Sequence, residues 1–362
     1  MKIPFQNNYL APNWSLSDEV VFTPLSNGLI NETWVVLNKN RGEELLLQKV
    51  NTSIFKDPQL IANNQLLIWN EWDTQKDKLN FQLAKPIPFS NGSFIHYDQE
   101  GSAWRLQEYF STAVNYTQTV SKEQLQKTAF SFGQFNTFLW KISPAQIQSP
   151  LERFHDLSFR YWQFNQALQV AINPSRLNNA NDLIKKAFTK KKYVEQFEQL
   201  VADPTHFPIR ILHHDAKIAN LLFEKDQTKV CAIIDLDTVM PGYFFSDLGD
   251  MIRSMGSTAN ENEINFDKVA INPTHYEALL EGYLTAVKES LTPSELDWIH
   301  AAGVWIIYMQ AIRFLTDYLQ NDTYYKTNYL EHNFDRAYNQ FTLLESLEKT
   351  LREVYDYKFL AD

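Results

Sequence analysis

Short runs of apolar, β-branched and aromatic residues, each closed by turn formers, fill the first hundred positions of the chain. Val20-Val21-Phe22 runs into a turn at Thr23-Pro24-Leu25-Ser26-Asn27-Gly28. Apolar stretches at 33–37 and 45–50 flank a hairpin tip at Asn38-Lys39-Asn40-Arg41-Gly42, and stretches at 93–97 and 103–107 flank Asp98-Gln99-Glu100-Gly101. Runs of this length between such turns predict an antiparallel meander. One helical pattern interrupts it. Asp57-Pro58 opens a segment with apolar residues at Leu60, Ile61, Leu66 and Ile68, a cap followed by a first-turn proline.

After about residue 110 the pattern becomes helical. Ser121-Lys122-Glu123-Gln124 reads as a capping box, and Leu125, Ala129, Phe132, Phe135 and Leu139 follow at helical spacing. Further helices are predicted from Asp156 onward and over 180–201, 276–288, 295–318 and 334–355, with Thr292-Pro293-Ser294-Glu295 as a helix start. The pattern implies an α+β protein of two lobes. Residues 1–108 form a small β-rich lobe and residues 109–362 a large helical one.

Composition narrows the class. The chain has 362 residues, 44% hydrophobic, 14% aromatic and 21% charged, the balance of a globular protein with a large core. Its formal net charge of −10 argues against nucleic acid as a partner, since phosphate backbones call for Lys and Arg. The lysines at 185, 186, 190, 191 and 192 read as a solvated helix face. The one cysteine, Cys231, lies in an apolar run and reads as a small buried hydrophobe, with no disulfide and no zinc cluster to form. The N-terminal stretch has no apolar core of a signal peptide, and no apolar stretch approaches 18 residues. A cytoplasmic location, with no membrane partner, is expected.

The chemistry concentrates in 213–237. His213-His214-Asp215-Ala216-Lys217-Ile218-Ala219-Asn220 is followed by a hairpin-like stretch and then Ile233-Ile234-Asp235-Leu236-Asp237. Phosphoryl transfer needs a carboxylate to take a hydroxyl proton, a cation for the moving phosphate, and hard oxygen ligands for Mg²⁺. Asp215 is the candidate general base and Lys217 the cation. Asn220 and Asp235 are the candidate Mg²⁺ ligands, and Asp237 assists or faces the substrate. His213 would support the loop. Ser26, Asn27 and Gly28 form a turn whose backbone N–H groups could cradle the phosphates of ATP, with Gly28 free to take positive φ. An ordinary β-turn would leave the same residues.

The motif resembles the aminoglycoside phosphotransferase/choline kinase superfamily, whose fold is protein-kinase-like. Within it, Leu212 to Asn220, Ile234-Asp235-Leu236-Asp237-Thr238-Val239-Met240-Pro241-Gly242, Asp247-Leu248-Gly249-Asp250-Met251-Ile252-Arg253, Phe154-His155-Asp156 and Arg313-Phe314-Leu315-Thr316-Asp317-Tyr318-Leu319 are similar to the N-acetylhexosamine 1-kinases. The loop carries Ala216 and Ala219 where that branch usually has Thr and Asn. The resemblance implies ATP- and Mg²⁺-dependent phosphorylation of a sugar's anomeric hydroxyl, with the first lobe binding nucleotide and the second carrying catalysis and substrate. It implies that Asp247 braces the catalytic loop through backbone N–H groups. It also makes Arg313, Asp317 and Arg336 candidates for contacting the sugar, although Arg313 and Asp317, four apart on one helix, could equally form an ion pair. The strand lysine of the kinase-like fold falls on Gln48 or Lys49, which point to opposite faces. Lys49 supplies the charge and is the candidate. The helix that follows offers Gln59, Asn63, Asn64 and Gln65 where a partner Glu would be expected. Other acceptors remain open: an aminoglycoside, a choline-like amine or homoserine. An ammonium substrate would need a pocket of unpaired carboxylates. A nucleotide-binding pseudoenzyme is the reading from another class.

Overall fold

The computed structural model describes residues 10–15, 17–25, 30–116, 121–170, 173–225 and 229–360. The strands in chain order are β1 (Val20–Leu25), β2 (Glu32–Asn38), β3 (Glu43–Lys49), β4 (Gln82–Leu83), β5 (Pro86–Ile87), β6 (His96–Tyr97), β7 (Ala103–Glu108), β8 (Val114–Asn115), β9 (Arg210–Leu212), β10 (Leu221–Phe223), β11 (Val230–Ile233) and β12 (Met240–Gly242). The helices are α1 (Pro58–Asp73), α2 (Lys122–Leu139), α3 (Leu157–Val170), α4 (Pro174–Asn179), α5 (Asn181–Thr189), α6 (Lys192–Val201), α7 (Phe245–Met255), α8 (Pro273–Val287), α9 (Pro293–Asp297), α10 (Ala301–Leu319) and α11 (His332–Tyr355). The α+β class expected from the sequence is the one the structure has.

The chain divides into two compact units, but not by a single cut at 108/109. The first unit takes residues 1–116, 145–152 and 220–239, and the second takes the rest. Strands β10 and β11, after the 213–220 loop, therefore belong to the first unit, in a four-stranded sheet of order β4-β11-β10-β8. The reason is pairing: β11 lies parallel to β4, and β10 is antiparallel to β8. Contacts of this kind, far apart in sequence, leave no local mark on it.

In the first unit, β1, β2, β3, β7 and β5 run side by side, with β6 on the far end of β7. Strand alternation divides this sheet into two chemically different faces. On one, Trp34, Val36, Leu47, Trp104 and Leu106 form a dry core with Leu10, Ala11, Trp14 and Phe89. On the other, β3 and β7 present Gln48, Arg105 and Gln107. Helix α1 packs its Ile61 and Ala62 with Val50, Phe55, Ile95 and Ala103. The Asp57 side chain caps α1 on the Leu60 N–H at 3.0 Å, with Pro58 in the first turn, as the sequence predicted.

The second unit is helical around α10, which packs on α7, α3 and α11. α2 lies along α8 closely enough that a Cβ on Gly282 would sit 2.2 Å from the Gln126 carbonyl. Ser121 caps α2 through the Gln124 N–H, and Thr292 with Glu295 forms a complete capping box. Two predicted helices are interrupted. The 180–201 segment breaks between α5 and α6 because Lys190 and Lys191 occupy the turn where the buried stripe of Leu183 and Ala187 would continue. The 295–318 segment breaks between α9 and α10. The 93–97 strand shrinks to β6. Among the described residues no helix is long and apolar enough to cross a membrane.

Candidate active site

The 213–220 loop leaves β9, which pairs antiparallel with β12. His214 follows with φ 64°, a left-handed turn that needs support in a non-glycine residue. Asp247, in the first turn of α7, supplies that support. Its Oδ2 accepts the His213 N–H at 2.9 Å and its Oδ1 the His214 N–H at 2.6 Å. Burial raises the Asp247 carboxyl, while the same two N–H groups favour its charged form. The His214 ring lies over Gly242, where a Cβ would approach its Cε1 to 2.4 Å, so this strand position tolerates only glycine.

Two histidine rings meet here, His214 buried and His155 half-buried. His214 Nε2 lies 3.2 Å from the Met240 carbonyl, which can only accept, so Nε2 carries the proton. Burial lowers the His214 ring to about 3 and keeps it neutral. Its Nδ1 is then an acceptor, and the His155 Nδ1 donates to it at 3.3 Å, with Ser246 Oγ 3.1 Å from the same atom. Burial, then the neighbouring cations Arg313, Arg160 and Arg253, hold His155 well below the usual histidine range.

Asp215 and Lys217 stand together beyond these rings, both partly exposed. The Lys217 Nζ donates to Asp215 Oδ2 at 2.8 Å. The neighbouring Asp250 is buried, which raises its carboxyl, while Arg253 works against the shift; Asp215 adds to it. Arg253 donates to Asp250 and to Glu261. Burial opposes its charge, but these carboxylates outweigh burial and hold it firmly protonated.

In the first unit, Asn220 and Asp235 are brought together by the ladder of β10 on β11. The Ile234 N–H donates to the Asn220 carbonyl at 3.0 Å, and Leu221 pairs with Ile233. Asp235 leaves the strand with φ 60° and ψ 58°. A carboxylate and a carboxamide oxygen, presented by adjacent strand ends, are a fitting donor set for Mg²⁺, which takes one or two protein ligands and completes its shell with phosphate oxygens and water.

Asp237 is placed differently from expectation. It is buried, with both oxygens committed. Arg105 grips it in a fork, through Nη1 to Oδ1 and through Nη2 to Oδ2 at 3.0 Å. Asn31 donates to Oδ2 and Gln65, from α1, to Oδ1, each at 2.9 Å. Arg105 in turn donates to Gln48 Oε1 from Nε and Nη2 at 2.9 and 2.7 Å. The carboxylate therefore holds the protein together and has no lone pair left for a substrate. Lys49 is corrected by the same geometry. It points to the opposite face of β3, its Nζ 5.8 Å from the Trp104 ring centroid. Gln48, not Lys49, lies on the face that meets α1 and Asp237. Ser26, Asn27 and Gly28 fall outside the described residues.

Asp317 and Arg313 do not pair. Asp317 is buried and accepts the backbone N–H groups of Thr323, Tyr324 and Tyr325 at 2.7–2.9 Å and Asn333 Nδ2 at 2.9 Å. It shapes the turn after α10 and does not reach outward for a sugar. Arg313 stacks on Phe154 at 4.9 Å and donates to Gln310 at 3.0 Å. Arg336 donates to Asn262 at 2.8 Å and lies over Phe314. Sequence reasoning missed Arg160, Tyr324 and Tyr325, which line a pocket with Arg313. The available signal was polar interruption: of the residues in α10, only Gln310 and Arg313 are not buried.

A kinase-like sheet unit, a helical unit, and a braced His-x-Asp-x-Lys-x-x-Asn loop followed by a strand ending in Asp define a small-molecule phosphotransferase. The model of the phosphotransferase enzyme family matches residues 21–286, and the chain belongs to that family. Three solved structures share the fold. An aminoglycoside phosphotransferase from Alicyclobacillus acidocaldarius is 12% identical with a TM-score of 0.61 over 94% of each chain. A microcompartment-associated aminopropanol kinase is 13% identical with a TM-score of 0.60 over 95% of each. A spectinomycin phosphotransferase, solved with ADP and spectinomycin, is 13% identical with a TM-score of 0.57 over 91% of this chain and 93% of that one.

Proposed function

We propose that the protein is an ATP- and Mg²⁺-dependent kinase that phosphorylates the anomeric hydroxyl of an N-acetylhexosamine or related hexose, giving the sugar 1-phosphate. The observation that carries the kinase reading is Asp215 on a loop whose backbone is pinned by Asp247, next to a lysine at 2.8 Å. The sugar reading rests on motif resemblance together with a pocket of guanidinium, aromatic and amide groups.

Asp215 accepts the proton of the acceptor hydroxyl as that oxygen bonds to the γ-phosphorus. The bond from the γ-phosphorus to the bridging oxygen breaks, and its electron pair leaves with ADP. General-base help of this kind is worth on the order of 10²–10⁴ in rate. A hemiacetal hydroxyl is more acidic than an ordinary alcohol, which suits a single carboxylate base. Lys217 donates to Asp215 and supplies positive charge for the transferring group. Asn220 and Asp235 would hold Mg²⁺, which would supply charge neutralisation on the phosphates. Asp247 fixes the loop, and the neutral His155–His214 pair fills the space behind it without offering a competing base.

A second reading is transfer to an amine-bearing acceptor, such as an aminoglycoside, a choline-like amine or homoserine. It is favoured by the kinship of fold with an aminopropanol kinase and an aminoglycoside phosphotransferase. The deciding experiment incubates the purified protein with ATP, Mg²⁺ and a panel of sugars and amino alcohols, and locates the new phosphate by NMR. Phosphorus coupling at C1 of a sugar supports the proposal. Phosphate on an amino alcohol selects the second reading. No transfer to any acceptor, with ATP still bound, would make the chain a nucleotide-binding pseudoenzyme.

A further inference from the structure

The pocket beside α10 is lined by two guanidiniums and one carboxylate, and the guanidiniums do not pair with that carboxylate. Its walls are Arg160 and Gln163 from α3, Arg313, Thr316, Asp317 and Gln320 from the α10 side, and Tyr324 and Tyr325 from the following turn. α10 is buried on all sides except at Gln310 and Arg313, so this is the one place where that core helix is open. Among the described residues, neither guanidinium has a carboxylate within ion-pair distance. Arg313 spends one donor on Gln310 at 3.0 Å and stacks on Phe154, Tyr325 and Tyr324 at 4.9, 5.6 and 5.8 Å. Stacking leaves its in-plane N–H groups available. Arg160 donates to the Phe154 carbonyl at 3.2 and 3.1 Å and to Gln163 at 2.8 Å, all neutral acceptors.

The nearest acids are already engaged. Asp317 lines the pocket but is saturated by three backbone N–H groups and Asn333. Asp156 pairs with Arg153 at 2.7 Å and caps α3 on the Phe159 N–H at 2.9 Å. Two like charges thus face one cavity with tyrosines around them. Burial, then the charge of Arg313, lowers the Arg160 guanidinium to about 10. Two guanidiniums against the single lining carboxylate of Asp317, whose oxygens are already engaged, leave the cavity with an excess of positive charge and with N–H donors to offer, which suits an anion.

We propose that the acceptor carries an anionic group, a carboxylate or a phosphate, which Arg160 and Arg313 receive together, so that the substrate is an acidic hexose such as a hexuronate or a hexose phosphate. This rests on the kinase reading and deepens its substrate class. The reaction is unchanged: the acceptor oxygen gains the γ-phosphoryl group, its proton passes to Asp215, and ADP leaves. The anionic group is not consumed.

The test compares glucuronate, glucose 6-phosphate, glucose, N-acetylglucosamine and 3-aminopropanol as acceptors with ATP and Mg²⁺, reading ADP release and the site of phosphate. An acidic hexose should exceed glucose in kcat/KM by at least about tenfold, the loss or gain expected for one charge-assisted hydrogen bond. Preference for glucuronate identifies a carboxylate site, and preference for glucose 6-phosphate a phosphate site. In Arg160→Gln and Arg313→Gln the ratio of acid to neutral kcat/KM should fall by about tenfold each. Thermal melting of each variant checks that it is folded. Best turnover of glucose, N-acetylglucosamine or 3-aminopropanol, or a ratio untouched in both variants, overturns the proposal while leaving the kinase reading intact. If no acceptor is turned over, calorimetry with glucuronate and glucose 6-phosphate at about 1 mM reads the pocket directly. Binding abolished by Arg313→Gln would support the anion site, and no binding of either would overturn it.

Discussion

Replacing Asp237 with alanine should unfold much of the first unit's margin of stability. The Arg105 and Asp237 side chains are 4% and 3% exposed. Removing the carboxylate strands a buried guanidinium and takes the acceptor from Asn31 and Gln65. Breaking a buried pair on one side costs about 3–5 kcal/mol, against a typical total of about 5–15 kcal/mol. Arg105→Ala should cost less, because Asn31 and Gln65 still donate to the orphaned carboxylate. The double variant should cost less than the sum of the two by at least about 2 kcal/mol, the signature of direct coupling. Urea unfolding followed by circular dichroism measures all three. Because Asp237 anchors the segment that carries Asp235, Mg·ATP binding should weaken as well. A loss below about 1 kcal/mol for Asp237→Ala, the value of an exposed pair, would refute the buried-anchor assignment. A raised acceptor KM at unchanged stability would return Asp237 to the substrate, where its sequence position suggested it belongs.

The remaining predictions are shorter. Asp215→Asn should lower kcat by about 10²–10⁴ while ATP still binds; near-native turnover would remove Asp215 as the base. Asp235→Ala should weaken Mg·ATP binding, seen by titration calorimetry, more than it weakens acceptor binding. Asp317→Ala should cost about 3 kcal/mol and speed amide exchange at Thr323, Tyr324 and Tyr325, whose N–H groups it accepts. His214 should make the fold acid-sensitive. Its folded value of about 3 lies below the ordinary 6.5 because it is buried, so the unfolded chain binds the proton first and stability falls as pH drops from about 6.5 toward about 3. At pH 5 the loss from this ring is about 2 kcal/mol, and His214→Gln should flatten the dependence of the urea midpoint on pH.

Local features were legible in the sequence. The caps at Asp57, Ser121 and Thr292 sit where the pattern placed them, since a cap depends on its own helix turn. The loop that carries Asp215, Lys217 and Asn220 was readable as one short segment between strands, because its spacing is local. The strand before Asp235 was readable from its apolar run. The roles of Asp237, Gln48, Lys49 and Asp317 were not, because they are decided by partners far away. Asp237 meets residues 132, 172 and 206 positions distant. Which face of β3 meets α1 is fixed by register with β7, and no periodicity in β3 states it. The sequence by itself therefore determined the phosphotransferase family, through residue types at fixed short spacings. Tertiary packing decided which charges are spent inside the protein and which remain for a ligand, because burial and pairing depend on what distant segments bring to the same point.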